Sequence, residues 1–247
     1  MTEASASETR PRRVVGVIGG LGPAATLDFF DRVLKATPAA GDQDHLRLII
    51  DNNPWVPDRN AAIAGTGPSA GPALAEMARG LERAGAEFLV MPCNAAHAFQ
   101  ADIEAATSLP FVSLIAETVR EAARVAPGAK RVAILGARGT LRAGLYDRAF
   151  AVAGTGTIAP EGETLDRLMA AILRVKVGDT GEEAHAAMRA VAQEMIAKGA
   201  DAICAACTEV PIVLDQGDLD VPLISSTDAL VARTVAIASG AEALPAK

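Results

Sequence analysis

Short apolar runs that end in glycine or polar residues alternate along this chain with segments that have the period of an amphipathic helix. The first run is Val14–Gly20, and Pro23 then fits the first turn of a helix that continues over Ala24–Lys35. Parallel strands need crossover connections, and helices in those connections cover both faces of the sheet. The alternation therefore predicts an α/β fold with parallel sheets.

The same unit of strand and helix recurs to the end of the chain. Further strands, some with the turn that follows, are predicted at His45–Asn53, Ala86–Asn94, Leu109–Ile115, Lys130–Thr140, Ala200–Thr208 and Val221–Ser226. Helices are predicted at Ser69–Ala84, Ala95–Thr107, Glu117–Val125, Leu141–Ala153, Leu165–Val175 and Glu182–Lys198, with one more after the last strand. The segment Pro54–Asn60 contains two prolines and is predicted to be a loop. Ligands in such folds bind beyond the carboxyl ends of the strands, so the turns there are the candidate site positions.

Composition and charge narrow the class of protein. Half of the 247 residues are hydrophobic, which argues against disorder, and the net charge of -7 argues against a nucleic-acid-binding protein. No apolar run reaches the roughly 18 residues of a membrane span, and the N-terminus lacks the apolar stretch of a secretory signal. Three cysteines are too few for a disulfide framework. We expect a cytoplasmic protein with reduced thiols, no nucleic-acid partner, no membrane association and a flexible tail over residues 1–12.

Two cysteines occur in the same local context. Cys93 in MPCNAAH and Cys207 in AACTEVP each follow an apolar strand and precede a helix. A helix N-terminus favours a thiolate, so this placement predicts lowered thiol pKa values. Cys204 falls inside a strand and is predicted to be a buried structural residue. The repeated arrangement indicates two similar halves that face one another.

The glycine turn after the first strand allows two interpretations. Gly19–Gly22 and the residues after it nearly match a dinucleotide-binding motif, with Asp51 at the end of the next strand as the ribose ligand. Pro23, however, removes one backbone donor that a phosphate would use. The same turn is also suited to a carboxylate, which its remaining N–H groups would bind.

Cationic residues near strand ends are candidate partners for a carboxylate ligand. Arg59 lies in a proline-rich loop, Arg138 in a glycine turn, and Lys176 directly after a helix. His97, four residues after Cys93, is either a hydrogen-bonding group near the site or a structural cap. No zinc-type spacing or phosphate-binding P-loop motif is present in the sequence, so no metal is expected.

Five segments together resemble a known family. The motifs GGLGPAAT, NNPWVPDR, MPCNAAHAF, Gly139-Thr140 and CTEVP are similar to those of the aspartate/glutamate racemase family, most of all its aspartate racemase branch. The resemblance extends from Val14 to the last strand. Glutamate racemases of cell-wall synthesis match less well, because they have an Asp-Ser-Gly first loop and a Cys-Thr-His motif where this chain has Glu209.

The resemblance implies a cofactor-independent homodimeric enzyme built from two α/β domains related by a pseudo-twofold axis. The site would lie in the cleft between them, with residues 13–111 and 222–247 forming the first domain and residues 112–221 the second. By the same resemblance, Cys93 and Cys207 are the proton-transfer residues. The implied substrate-binding residues are Gly20, Asn53, Arg59, Asn94, Ala95, Thr140, Lys176 and Thr208. The chain departs from the family at two positions, Ala95 in place of threonine and Ala206 in place of glycine.

The reaction implied is the interconversion of L- and D-aspartate, or of glutamate. A first alternative keeps the fold and acts on another small carboxylate, as a maleate isomerase or hydantoin racemase does. A second alternative is a nucleotide-binding oxidoreductase that uses the glycine turn. A third is an amino-acid-binding protein without catalytic activity.

Overall fold

The structure is a computed structural model that describes residues 12–245. Its strands are β1 (Val15–Gly19), β2 (Leu48–Asn52), β3 (Phe88–Val90), β4 (Phe111–Val112), β5 (Arg131–Gly136), β6 (Gly156–Ile158), β7 (Ala202–Ala206) and β8 (Leu223–Ser225). The α-helices are α1 (Pro23–Ala36), α2 (Arg59–Ala64), α3 (Gly71–Arg83), α4 (Gln100–Ala106), α5 (Leu114–Val125), α6 (Arg138–Arg142), α7 (Leu145–Val152), α8 (Gly162–Lys176), α9 (Glu182–Ala197), α10 (Val210–Val213) and α11 (Ser226–Ala238). Short 3-10 helices occur at Asp42–Asp44, Ala95–Phe99 and Gln216–Asp218. Among the described helices, none combines the length and apolar character that crossing a membrane needs. The predicted flexible tail, residues 1–12, lies outside the described residues except for Arg12.

Two four-stranded parallel sheets share one strand order. The first sheet runs β2-β1-β3-β4 and the second runs β6-β5-β7-β8. Every pairing in both sheets is parallel. Because each strand of the second sheet corresponds to one of the first, β3 and β7 hold equivalent positions. The prediction of an α/β fold with two similar halves is confirmed.

A common apolar core joins the two halves. Strands β1 and β7 are buried along their whole length, as is typical of parallel strands between layers of helices. Val17 of β1, Ile134 of β5, Phe29 of α1 and Leu230 of α11 all belong to one buried cluster. Helix α11 packs on both α1 and α5. This shared core fixes the strand ends of one sheet relative to those of the other.

The division of the chain between the two domains stays a prediction. Strand β8 pairs with β7 and is part of the second sheet, although its residues fall in the segment 222–247. Helix α11 follows β8 and returns to pack against α1 in the first half. Strand β4 pairs with β3, so the first sheet ends at Val112.

Short elements are where the structure departs from the predicted pattern. Helix α2 begins at Arg59, inside the segment 54–60 that was predicted to be a loop. The Asp58 side chain caps it by accepting a hydrogen bond from Ala61 N at 2.7 Å, and Gly65 ends it with a φ of 73°. Six residues are too few to display a helical period. The pattern also does not predict β6, which has three residues at the edge of its sheet.

Three predicted elements are divided or shortened. The predicted helix Ala95–Thr107 is a 3-10 segment followed by α4. The predicted helix Leu141–Ala153 is interrupted at Gly144, whose φ of 59° is left-handed, so α6 and α7 are separate. The predicted strand Leu109–Ile115 contains only β4, because the Ser113 side chain already caps helix α5.

Candidate active site

Cys93 and Cys207 lie at equivalent strand ends of the two sheets. Cys93 follows β3, Cys207 follows β7, and each is 7% exposed. Both are free, as is Cys204, which is fully buried inside β7 as predicted. Cys93 and Cys207 are therefore two thiols matched in position and in burial.

Burial dominates the ionisation of both thiols. Burial and the neighbouring Glu209 raise the pKa of Cys207 well above its ordinary value, while Lys176 opposes them. Burial also raises the pKa of Cys93, and the positive charge of Arg59 opposes it. The prediction that helix N-termini lower these pKa values is wrong. The elements that follow the cysteines are a 3-10 segment and the four-residue α10, which are too short to supply a strong dipole.

The guanidinium of Arg59 stabilises the glycine turn beside Cys93 through hydrogen bonds to main-chain carbonyl oxygens. Its Nη1 donates to the carbonyl oxygens of Val56 and Pro57 at 2.9 and 3.0 Å, and its Nη2 donates to that of Leu21 at 2.9 Å. The carbonyl oxygen of Leu21 also lies 3.6 Å from the Sγ of Cys93 and accepts its S–H. An arginine has five N–H groups, so these bonds leave the Nε–H and one Nη2–H of Arg59 for other partners.

The glycine turn is held tightly against the end of β2. Gly20 has a φ of 84°, and a Cβ there would lie 2.4 Å from the main-chain nitrogen of Asn53. The N–H of Gly20 donates to Oγ1 of Thr26 at 2.9 Å. Since this donor is occupied and Pro23 has none, the geometry does not favour the dinucleotide-binding hypothesis.

Glu209 is a site residue to which the sequence interpretation assigned no role. It is 1% exposed, its Oε2 lies 2.9 Å from Sγ of Cys207, and its Oε1 accepts a hydrogen bond from Nζ of Lys176 at 2.7 Å. Burial alone would lower the pKa of Lys176, but the charge and hydrogen bond of Glu209, together with the negative charge that Cys207 and Cys93 can carry, raise that pKa overall. A Cβ on Gly22 would lie 2.9 Å from Oε1 of Glu209, so the glycine turn of the first half packs against this pair. The signal available in the sequence was the position of Glu209, where the Cys-Thr-His motif has histidine.

The side chain of Asn94 is held at both ends by residues that the sequence did not single out. Tyr146 Oη donates to Oδ1 of Asn94 at 2.5 Å, and Nδ2 of Asn94 donates to Oγ of Ser226 at 3.2 Å. Ser226 Oγ in turn donates to the carbonyl oxygen of Ala205 at 2.7 Å. These bonds connect the turn after β3 with the end of β7, two residues before Cys207. The partners are 52 and 132 residues from Asn94 in sequence, so no local motif marks them.

The structure buries both threonines of the predicted binding set. Thr140 is 1% exposed and Thr208 is 4% exposed. Within residues 12–245, the buried hydroxyl of Thr140 has no hydrogen-bond partner. Thr208 Oγ1 lies 3.5 Å from Oε2 of Glu209. Ala95 is buried beside Cys93, and Ala206 fits without backbone strain because the positive φ values in the described chain all belong to glycines.

His97 supports the Cys93 turn. The main-chain N–H of Leu114 donates to Nε2 of His97 at 3.0 Å, so Nδ1 carries the ring proton and donates to the carbonyl oxygen of Cys93 at 2.8 Å. Burial lowers the pKa of His97 to about 4, which makes the ring neutral at neutral pH. Both ring nitrogens are occupied by the main chain, and this favours the structural role for His97.

Comparison with known sequences connects this geometry to one family. Residues 18–234 match the family described as Asp/Glu/Hydantoin racemase. A broad specificity amino-acid racemase, RacX, of Bacillus subtilis (strain 168) is 28% identical to this chain over 230 residues. That alignment covers 90% of this chain and 96% of the relative.

Solved structures show the same relationship. Aspartate racemase of Picrophilus torridus superposes with a TM-score of 0.83 at 30% identity, covering 94% of this chain and 96% of that one. Glutamate racemase isoform RacE1 of Bacillus anthracis superposes with a TM-score of 0.64 at 18% identity, covering 96% and 85%, and shares the fold. The chain belongs to the Asp/Glu/Hydantoin racemase family and is an isomerase, as its motifs indicate.

Proposed function

We propose that this protein interconverts the L- and D-enantiomers of aspartate, or of glutamate, by proton transfer to and from Cys93 and Cys207. The observation that carries the proposal is that both thiols are free, equally exposed and at equivalent strand ends. Racemisation needs an acid–base group on each face of Cα, because the proton leaves from one face and returns to the other. One thiol from each of two similar halves meets this need.

In the proposed step, a thiolate on one cysteine removes the Cα proton and the thiol of the other cysteine delivers a proton to the opposite face. The Cα–H bond breaks as one S–H bond forms, and the second S–H bond breaks as the new Cα–H bond forms. Thiols suit both roles because their ordinary pKa lies close to neutrality. Burial raises the pKa of both thiols here, so the positive charges of Arg59 and Lys176 are what favour the thiolate. The carbanionic state needs stabilisation of charge at the α-carboxylate, and main-chain N–H groups in a buried cleft are suited to that task.

The remaining predicted residues are assigned to substrate binding in this proposal. Asn94, Thr140 and Thr208 bind the α-carboxylate or the amino group, and the unpartnered hydroxyl of Thr140 supports this assignment. Arg59 and Lys176 supply positive charge for carboxylate groups. The family resemblance assigns three further positions to the same site: Gly20, Asn53 and Ala95. The N–H of Gly20 is occupied by Thr26, so Gly20 would shape the turn rather than donate to the substrate.

An amino acid without a distal carboxylate is a second candidate substrate. Lys176 is already paired with Glu209, and Arg59 already donates to three main-chain carbonyls. The ion pair offsets the charge of Lys176, and the main-chain bonds leave Arg59 with two N–H groups for a distal carboxylate. The relative RacX is described as a broad specificity amino-acid racemase.

The homodimeric state, the cytoplasmic location and the independence from a cofactor stay predictions of the family resemblance. Light scattering of the purified protein measures the first of these directly. Two subunits per particle is the expected result, and a monomeric mass at assay concentration contradicts it.

The proposed reaction is tested with purified protein and single L-amino acids, without added cofactor. Chiral chromatography then follows the appearance of the D-enantiomer from aspartate, glutamate, alanine or arginine. We expect D-aspartate or D-glutamate to form fastest. Conversion of alanine or arginine alone supports the second candidate. Tight binding without conversion of any of the four contradicts the proposed activity.

A further inference from the structure

Glu209 lies between a thiol and an ammonium group in a buried position. Its Oε2 is 2.9 Å from Sγ of Cys207, its Oε1 is 2.7 Å from Nζ of Lys176, and it is 1% exposed. A carboxylate in an ion pair is an acceptor only. The hydrogen in the contact between sulfur and oxygen therefore belongs to the Cys207 thiol.

The equivalent position in the first half carries no carboxylate. Glu209 is the second residue after Cys207, whereas the second residue after Cys93 is Ala95. The charge that acts most strongly on Cys93 is instead the guanidinium of Arg59. Two thiols matched in burial thus have neighbours of opposite charge.

Several elements contribute titratable or charged groups around Cys207. Lys176 comes from α8 and Tyr146 from α7, and the charge of Lys176 also acts on Cys93 at the end of β3. Burial raises the pKa of Tyr146 well above its ordinary value, so its phenol is neutral. The charge of Lys176 favours a thiolate, but this ammonium is bonded to Glu209. The group in direct contact with the sulfur is the carboxylate.

We propose that Glu209 is a positioning residue that keeps Cys207 protonated, so that Cys93 is the thiol that ionises first. Loss of the proton from Cys207 in the free enzyme would leave two negative charges 2.9 Å apart in a buried site. At Cys93, ionisation instead places a negative charge near the Arg59 cation.

The order of ionisation determines which cysteine acts as the base and which as the acid at the start of a cycle. This consequence rests on the proposed racemisation. Cys93 removes the Cα proton as a thiolate, and the S–H proton of Cys207 goes to the opposite face. The cycle ends with a thiol at Cys93 and a thiolate at Cys207. One proton lost from Cys93 to solvent and one gained by Cys207 restore the starting state.

The ratio of the steady-state kcat/KM values for the two enantiomers does not report which thiol ionises first. The two enantiomers have equal free energy, so kcat/KM is the same in both directions whichever thiol ionises first. The order of ionisation is therefore measured on the thiols themselves, without turnover.

Alkylation of the full chain with iodoacetamide, mapped by peptide mass spectrometry between about pH 6 and about pH 9, tests the proposal because a thiolate is the reactive species. Cys93 and Cys207 are each 7% exposed, so access does not favour either, and fully buried Cys204 reports any loss of structure. We expect Cys93 to react at least about tenfold faster than Cys207, which corresponds to one pKa unit. In Glu209→Gln the Cys207 rate should rise at least about tenfold, because the carboxylate is lost and Lys176 remains.

Two further variants separate the effect of the Glu209 charge from a general loss of structure. Glu209→Asp keeps the carboxylate and should retain the wild-type order. Lys176→Met leaves the carboxylate without its cation and should slow Cys207 further. Equal rates in the wild type, an unchanged ratio in Glu209→Gln, or faster reaction of Cys207 in Lys176→Met would each overturn the proposal. If Cys204 becomes reactive in Glu209→Gln, that variant has lost structure. The alkylation rates in Glu209→Asp and Lys176→Met then test the proposal. An enzyme with the expected order but no racemisation would refute the proposed function and leave the role of Glu209 standing.

Discussion

The phenol of Tyr146 donates a hydrogen bond of 2.5 Å to Oδ1 of Asn94, the residue that follows Cys93. Because burial raises the pKa of Tyr146, its hydroxyl remains a donor and fixes which end of the amide faces it. Nδ2 of Asn94 then donates one of its two N–H groups to Ser226. In the proposed site the second N–H binds the substrate, and Tyr146 acts by orienting this amide.

Replacement of Tyr146 by phenylalanine tests this role. Tyr146→Phe leaves a buried amide oxygen of Asn94 without its donor, which should cost about 1 to 3 kcal/mol in the free energy of unfolding. It should also lower kcat by about tenfold or more, because the amide is no longer held in one orientation. Thr118→Val is the matched control. Thr118 Oγ1 lies 3.3 Å from the same phenol but takes no part in the hydrogen bond between Tyr146 and Asn94. A normal kcat in Tyr146→Phe would contradict the assignment.

Gly20 is required by both its conformation and its surroundings. Gly20→Ala combines a left-handed φ of 84° with a Cβ 2.4 Å from Asn53 N, so the turn must move. Gly65→Ala provides a control, because Gly65 has a φ of 73° but nothing within 4 Å of its Cβ position. Urea unfolding should show that Gly65→Ala lowers the free energy of unfolding by about 1 kcal/mol and that Gly20→Ala lowers it clearly more. Racemisation should fall in Gly20→Ala alone; equal losses in both variants count against the role of the turn.

Protonation of His97 should destabilise the protein in mild acid. Its folded-state pKa of about 4 lies below the ordinary value of about 6.5, so the unfolded chain binds more protons between these values. The contribution of the neutral His97 ring to the free energy of unfolding is complete above about pH 6.5 and is lost as the pH falls toward 4. Between pH 7 and pH 5 this amounts to about 2 kcal/mol. His97→Gln does not titrate there, so its free energy of unfolding should fall less over the same interval; parallel pH profiles would rule out this contribution.

The cations of the site should discriminate between substrates. If Arg59 and Lys176 bind the distal carboxylate, replacing either with alanine removes a charged hydrogen bond worth about 1.5 to 3 kcal/mol. The kcat/KM for aspartate should then fall at least about tenfold more than that for alanine as substrate. Arg174→Ala is the control, since Arg174 lies on the same helix as Lys176 and pairs with exposed acidic residues. Equal losses for both substrates would remove the distal-carboxylate role.

The main features of the fold could be predicted because they depend on local patterns. Apolar runs located the long strands, and the residue after each run placed Cys93 and Cys207 at strand ends. Helix α2 and strand β6 lack the length that periodicity needs, although Asp58 and Gly65 marked the ends of α2. Gly144 was compatible with a continuous helix in the sequence, and its left-handed φ became evident only in the structure.

Much of the candidate site depends on contacts between distant segments. Lys176 and Glu209 are 33 residues apart, and they meet because α8 packs beside the turn after β7. Their pairing changes the interpretation of Lys176, which the sequence presented as a free cation. The thiol pKa values were also predicted in the wrong direction, because the sequence indicated a helix N-terminus but not the depth of burial.

The central claim is that Cys93 and Cys207 act on opposite faces of Cα. Proton NMR of D- and L-aspartate and glutamate in D2O, with the enzyme and no added cofactor, tests it most directly. We expect the wild type to remove the Cα-proton signal from both enantiomers of one amino acid. Cys93→Ala and Cys207→Ala should each lower racemisation by about 10² to 10⁴, while any residual exchange is confined to one enantiomer. Cys204→Ala should behave as the wild type. Wild-type turnover in either site variant, or no exchange by the wild type with any of the four substrates, would contradict the account.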